Sequence, residues 1–423
     1  LVARTIKRLR WYIVVLAMLG TTINYLARSS LATAAPTLVH KLHMTTQDYS
    51  YVVAAFQLAY TVVQPVAGLV VDALGPRLGL GLFAIAWSLA NMLHALATGW
   101  TGLAACRGLL GLSEGAVFPA GLRAISEWFP SWERSVAYGW LNVGAAVGGM
   151  LAPPLVVTCI LLANWQTAFV VTGGIGLFWA IAWLAFYRRP QDHKRISQKE
   201  LQYIESGQEK RPPSTEPVLR NWIAIMRRRD FWGMAIPRFL CEPAWQTFNF
   251  WIPLYLATVR HMSLKEIALF AWMPFLAADL GSVVGGYMSP LLIRYAGVSL
   301  IKSRKLTVLS GSLLMIGPAL ISLATNAYWA IALFCIGGFA HQMLSGALMT
   351  LATDLFPERQ VASAAGLAGT AAWTGGLLFS LVVGALAMTI GYNPLFACLA
   401  VFDLLATIVV WSMVSDAHAS ATV

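Results

Sequence analysis

At 423 residues, 58% of them apolar and only 11% charged, with a mean hydropathy of +0.67, the chain lies far from soluble domains, which are about a quarter charged. A formal charge of +11 would point to nucleic acid in a soluble protein, but here Lys and Arg concentrate in the polar connections, as on the cytoplasmic side of membrane proteins. Cys106, Cys159, Cys241, Cys335 and Cys398 stand singly in apolar segments, so no disulfide framework, metal site or cofactor is implied, and no nucleophile motif speaks for an enzyme.

A ~30 Å hydrocarbon layer needs roughly 20 apolar residues per helix. Runs of that kind predict an all-α membrane protein of twelve transmembrane helices, at 11–36, 50–71, 77–97, 100–126, 135–160, 164–187, 231–257, 266–293, 305–323, 328–352, 361–387 and 394–414. With the N-terminus cytoplasmic, 23 of the 29 basic residues fall on that side, three outside (Lys41, Arg260, Lys265) and three within helices. The first span is too long for a signal-peptide core and is read as retained.

A charge at the bilayer centre costs about 2.5 to 3.5 kcal/mol on insertion scales, so charges within the spans need a partner or a function. In the first span, Asn24-Tyr25-Leu26-Ala27-Arg28-Ser29 sets Arg28 past the middle. Its guanidinium fork suits a carboxylate held bidentately; the alternative is a structural ion pair. After the second span comes Gly68-x-x-x-Asp72-x-x-Gly75-x-Arg77, a short turn whose carboxylate and basic partner form either a conformational latch or a screened surface pair. The corresponding loop near Gly286 lacks the Asp.

The fourth span places Arg107 and Glu114 seven residues apart on one face, about 10 Å along the axis. Burial raises a carboxyl pKa and a neighbouring Arg lowers it, so a changing Arg neighbourhood can load and unload a proton at Glu114. A permanent Arg107 to Glu114 pair is the competing reading. Beyond this span, Glu127-Trp128-Phe129-Pro130 with Glu133-Arg134 is echoed by Asp354-Leu355-Phe356-Pro357 with Glu358-Arg359, a weak repeat of two related halves. Parallel repeats put substrate at the midplane between halves. The predicted domains are a six-helix bundle over 1–187, a cytoplasmic linker over 188–230 and a second six-helix bundle over 231–423. Ser197-Gln198-Lys199-Glu200 has capping-box spacing and predicts a short linker helix interrupted at Pro212-Pro213.

The seventh span carries Arg238 and Glu242 at salt-bridge spacing, prolines at 237, 243 and 253 that bend the helix, and Trp245, Gln246 and Asn249, suited to sugar hydroxyls. Shifting by the repeat puts His341 of the tenth span opposite Glu114, either as a packing histidine or as a substrate or proton contact, with Gln342 beside it. Asp279 and Asp403 are also deep and read as structural.

Leu9-Arg10-Trp11-Tyr12, Tyr49-Ser50-Tyr51, the run from Ala59 to Gly68, Ala152-Pro153-Pro154-Leu155-Val156-Val157, Pro237-Arg238-Phe239-Leu240 and Gly337-Gly338-Phe339-Ala340-His341-Gln342 resemble bacterial hexuronate transporters. These belong to the anion:cation symporter branch of the major facilitator superfamily, and the resemblance spans nearly the whole chain. It implies inward symport of galacturonate or glucuronate with protons across a bacterial inner membrane. It also implies that Arg28 engages the substrate carboxylate, that Arg107 and Glu114 couple protons, and that Tyr60 and Gln64 contact substrate. Sugar-acid relatives often have Asp where this chain has Ala27, and a substrate-contacting Gln aligns with Ala145, leaving Asn142 one turn away as its substitute. Tyr25 and Trp373 complete the candidate substrate set. The expected protein is a monomer in the lipid bilayer, with protons and a small organic anion as its partners. A sugar-acid sensor on a transporter fold, or a carrier of aldonates or aromatic acids, is the rival reading.

Overall fold

The computed structural model describes residues 6–130, 133–206, 218–356 and 358–415. Among them there is no strand. The helices are α1 (Leu9–Lys41), α2 (Thr46–Leu93), α3 (Trp100–Glu114), α4 (Val117–Trp128), α5 (Arg134–Leu162), α6 (Trp165–Phe186), α7 (Gln198–Ser206), α8 (Val218–Met226), α9 (Arg229–Thr258), α10 (Leu264–Phe270), α11 (Met273–Ala296), α12 (Leu300–Leu314), α13 (Ile316–Ala319), α14 (Ala327–Leu355), α15 (Glu358–Ile390) and α16 (Asn393–Met413).

Nine stretches among the described residues are long and apolar enough to cross a membrane. The other three predicted spans are helical too, and two have visible reasons for falling below that measure. The span predicted at 100–126 is divided at Gly115-Ala116 into α3 and α4. That predicted at 231–257 carries Arg238, Glu242, Gln246 and Asn249, yet α9 runs unbroken across Pro237, Pro243 and Pro253. The spans predicted at 50–71 and 77–97 are the two helical halves of α2, divided at Gly75, whose φ of 76° and ψ of 162° are non-helical and favour glycine. The eighth span is interrupted between α10 and α11, just ahead of Pro274.

Packing divides the chain into two compact units, Leu1–Ala34 with Val62–Ser214, and Ala35–Thr61 with Thr215–Val423. The second unit therefore includes the last part of α1 and the first part of α2. Tyr49 explains the attachment: its hydroxyl donates to the Phe250 carbonyl (2.7 Å) and its ring stands edge-on to Trp251 (centroids 5.2 Å). Phe56 adds a contact to Phe250 at 6.2 Å.

The acidic-x-Phe repeat has a structural counterpart in each unit. In the first, Glu127 accepts from the Tyr187 hydroxyl (2.9 Å), and Phe129 meets Trp11 at the start of α1 edge-on (5.2 Å). In the second, Asp354 accepts from Arg304 (3.0 Å), and Phe356 lies under the Arg228 guanidinium (4.5 Å) at the start of α9. Pro357 and the side chains of Arg134, Glu358 and Arg359 lie outside the described residues, as does Pro212-Pro213.

Only half of the predicted capping box forms. Ser197 Oγ accepts the Glu200 amide (3.2 Å), but the Glu200 carboxylate turns to the amides of Leu9 (3.0 Å) and Arg10 (3.2 Å) and caps α1 instead. Arg10 closes the junction through Glu200 (3.1 Å) and Glu133 (3.0 Å), with Tyr203 donating to Glu133 (2.9 Å). An anion at a helix N-terminus satisfies orphan amides and complements the helix dipole.

Small residues let α5 lie against α1. A Cβ on Gly148 would fall 2.8 Å from Tyr25 Cβ and 3.1 Å from the Leu26 amide nitrogen, whereas one on Gly174 meets open space. Gly148→Ala is expected to cost about 1–3 kcal/mol through overpacking, seen as a lower melting temperature in detergent, while Gly174→Ala leaves it unchanged or raised.

Candidate functional site

The first unit gathers Arg28, Arg107 and Glu114 into one buried cluster. Arg28 Nε donates to Glu114 Oε2 at 2.8 Å, with Arg28 6% exposed and Glu114 fully buried. Arg28 Nη2 lies 3.4 Å from Asn24 Oδ1, and its guanidinium stands 4.6 Å over the Tyr25 ring, which meets Phe118 edge-on. Arg107, also fully buried, donates from Nη1 to the Arg28 carbonyl at 3.3 Å. The ion pair on Glu114 thus comes from α1, across 86 residues of sequence, and the seven-residue spacing within α3 serves to put Arg107 behind Arg28. Glu114 Oε1 has no hydrogen-bond partner among the described residues.

The cluster holds two guanidinium groups against one carboxylate. That excess of positive charge suits one anion. Arg28 shares one fork between two acceptors, Glu114 at Nε and Asn24 at Nη2.

Gln64 is half-buried on α2, where its backbone passes Gly115 at 3.7 Å from an added Cβ. Asn142 is exposed on α5 and hydrogen-bonds Tyr138. Just past the Gly75 turn within α2, Arg77 gives Nε and Nη2 to the Leu184 carbonyl (3.1 and 2.8 Å), tying α2 to α6. The Asp72 side chain lies outside the described residues, and Gly68 has open space around it.

The second unit has a separate polar group. Arg238 Nη1 donates to Ser345 Oγ (2.7 Å), and its Nη2 pairs with Glu242 at 3.4 Å. Glu242 also accepts from Gln246 (2.8 Å). The salt-bridge reading of this i, i+4 pair therefore has its geometry. Trp245 stacks on buried His341 (centroids 5.7 Å, 9° between planes), and the Asn249 amide bonds back to the Trp245 carbonyl (2.8 Å). Gln342 is half-buried. Tyr60 belongs to this unit, with its ring 4.4 Å from Trp373 and stacked on Phe56 at 5.7 Å. Asp403 is fully buried with the Cys241 thiol beside it, and Asp279 is half-buried.

Sequence reasoning missed Asn24 and Ser345, the neutral partners of Arg28 and Arg238. It also missed Gln57, a fully buried amide on α2 without a hydrogen-bond partner among the described residues. A lone amide in an apolar run was the available signal for Gln57. Nothing in sequence spacing pairs Ser345 with Arg238, 107 residues away.

Residues 17–301 match the Major Facilitator Superfamily model. The chain belongs to that superfamily. It is 54% identical to a hexuronate transporter of Escherichia coli K12 over 413 residues, 98% of this chain and 96% of that protein. A galacturonate transporter of Dickeya chrysanthemi is also 54% identical, over 77% of this chain and 95% of its own length. A D-galactonate transporter of Escherichia coli O6:H1 is 29% identical over 92% of this chain and 91% of its own. In fold, the chain is similar to a bacterial homologue of the human lysosomal transporter Spinster, with a TM-score of 0.77 at 16% identity, covering 99% of this chain and all of the other.

Breaking a buried ion pair from one side strands a charge, at about 3–5 kcal/mol, whereas replacing both partners by apolar residues is often close to neutral. Arg28→Met is therefore expected to lower the melting temperature of the purified protein sharply, and Arg28→Met with Glu114→Met to recover most of the loss. Additive losses in the double variant would show that the two side chains are not energetically coupled.

Proposed function

We propose that this protein imports a hexuronate anion, galacturonate or glucuronate, together with a proton by alternating access. The observation that carries the reading is the Arg28 cluster: a buried guanidinium paired to Glu114, backed by a second guanidinium, in a chain 54% identical to a hexuronate transporter. The bacterial relatives and the basic connections support a multi-pass protein of the bacterial inner membrane with both termini cytoplasmic, acting as a monomer.

The chemistry follows from competition for Arg28. While Glu114 is ionised, it occupies the Nε–H of the fork. A proton on Glu114 removes its charge and weakens its claim, freeing the fork for the substrate carboxylate. Loss of that proton restores the pair and expels the anion. Proton and substrate thus bind together, with Arg107 holding the cluster positive throughout. Tyr25 and Gln64 in the first unit, and Tyr60, Arg238, Trp245, Asn249, His341, Gln342 and Trp373 in the second, are the proposed contacts for the sugar body, with Asn142 as a further candidate on α5. Gly68, Asp72, Gly75 and Arg77 are the proposed gating turn. An aldonate carrier is the second reading, supported by the similarity to a D-galactonate transporter.

Binding in detergent tests the anion site. Arg28→Ala is expected to abolish uronate binding and Arg28→Lys to recover little, because a point charge does not reproduce the fork. Galacturonate and glucuronate should compete with each other, while galactose should not. Near-normal binding by Arg28→Ala would sink the assignment, and preferential binding of an aldonate would favour the second reading.

Coupling is tested in proteoliposomes. A uronate moving with one proton carries no net charge, whereas two protons would make transport respond to membrane potential by about 2.3 kcal/mol per 100 mV. Uptake is expected to follow a pH gradient and to be nearly indifferent to voltage. Glu114→Gln should retain substrate exchange but lose accumulation driven by the pH gradient. Robust uptake driven by potential alone would refute a one-proton cycle, and its disappearance in His341→Gln would identify a second carrier.

A further inference from the structure

A groove of about 530 Å³ runs along α11 in the second unit. Its outer wall is the stripe Val283, Tyr287, Leu291 and Tyr295, spaced four apart and each half or more exposed; the adjoining stripe begins at Val284. The opposite face of α11 is already occupied. A Cβ on Gly285 would fall 2.8 Å from the Met343 carbonyl oxygen, and Gly281 lies equally close to the backbone of Phe339, so α11 is fixed against α14 through this pair of glycines. The groove is therefore an outward face of a membrane helix whose inward face is committed.

Its end is not apolar. Tyr295, which lines the groove, carries the Arg294 guanidinium 5.4 Å from its ring centroid. Arg294 is exposed and has no carboxylate partner among the described residues, whereas Arg228 and Arg304 of the same unit are paired with Asp230 and Asp354. Beyond the turn at Gly297, exposed Lys302 stands in the first turn of α12. Basic residues and a tyrosine at the end of a spanning helix mark the cytoplasmic headgroup level.

We propose that this groove is a binding site for an anionic glycerophospholipid of the cytoplasmic leaflet, an acyl chain lying along Val283 to Leu291 and the headgroup phosphate meeting Arg294. Bilayer hydrocarbon fills any such groove; the unneutralised guanidinium at its mouth selects the charged lipid. A second copy of the chain would cover the same face, but an isologous contact through α11 brings two Arg294-bearing surfaces together at one level, while Asp279, the carboxylate of that stripe, stands about four turns away along the helix. One basic residue at the membrane surface is worth roughly fivefold in affinity for an anionic lipid.

Native mass spectrometry of the full chain, released from equimolar phosphatidylglycerol and phosphatidylethanolamine, reads this directly. The wild type is expected to retain one phosphatidylglycerol with about fivefold preference, in proportion to that single charge. Arg294→Gln should erase the preference while leaving residual, headgroup-blind retention, and Val283→Trp, which fills the groove, should lose both lipids. Equal retention of the two lipids by the wild type, a preference that survives Arg294→Gln, or a dimer protected at α11 would each overturn the proposal. Arg294 is exposed and outside the Arg28 cluster, so the test stands whatever the transported anion is.

Discussion

The pairing of Arg28 with Glu114 is the constraint around which the first unit is arranged. Each charge alone would carry the cost of leaving water, and in a membrane interior only a partner with good geometry offsets it. At 2.8 Å the pair meets that condition on one oxygen of Glu114, while the other has no hydrogen bond among the described residues. Asn24, Tyr25 and Arg107 fix where the guanidinium sits, and α3 ends at Glu114, next to the Gly115-Ala116 break.

Placing those groups depends on close helix approach. Lipid tails are as apolar as Leu, so helices in a membrane gain little from hydrophobic burial against one another and rely on packing and interhelical hydrogen bonds. Gly144 and Gly148 bring α5 onto the α1 segment that holds Tyr25, and Gly281 and Gly285 do the same for α11 on α14. Hydrogen bonds from side chains to exposed carbonyls add to this, as in Trp179 to Leu16 (2.9 Å) and Arg77 to Leu184.

Much of the architecture was legible because a bilayer imposes a coarse rule: about 20 apolar residues make a span. The rule does not see where a helix bends or breaks. It separated the two halves of α2 that Gly75 divides, but it missed the division at Gly115-Ala116 because both sides remain apolar. At the site, intramembrane charges were visible as costly residues, which is why Arg28, Arg107, Glu114, Arg238 and Glu242 all stood out. Partner choice was not visible in the same way. Spacing within one helix suggested Arg107 for Glu114, while the partner found is on α1; the same local logic succeeded for Arg238 and Glu242 because their partnership is i, i+4. Glu200 shows the limit from the other side: its spacing fits a local cap, but the amides at the start of α1 take the carboxylate.

The two units share a repeat and differ in electrostatics. Where the first has two guanidinium groups against one carboxylate, the second sets Arg238 against Glu242 and gives each a neutral partner, Ser345 and Gln246. This pair is balanced in charge and carries no excess to draw an anion, with Arg238 Nε left without a hydrogen bond among the described residues. An unbalanced cluster with a free carboxylate oxygen gains on binding either a proton or an anion. If the halves descend from one ancestral repeat, the charge chemistry has been kept in the first, while the second presents stacked Trp245 and His341 and the Tyr60 and Trp373 rings. Flat rings and amides are chemically suited to C–H faces and hydroxyls, whereas guanidinium groups are suited to a carboxylate.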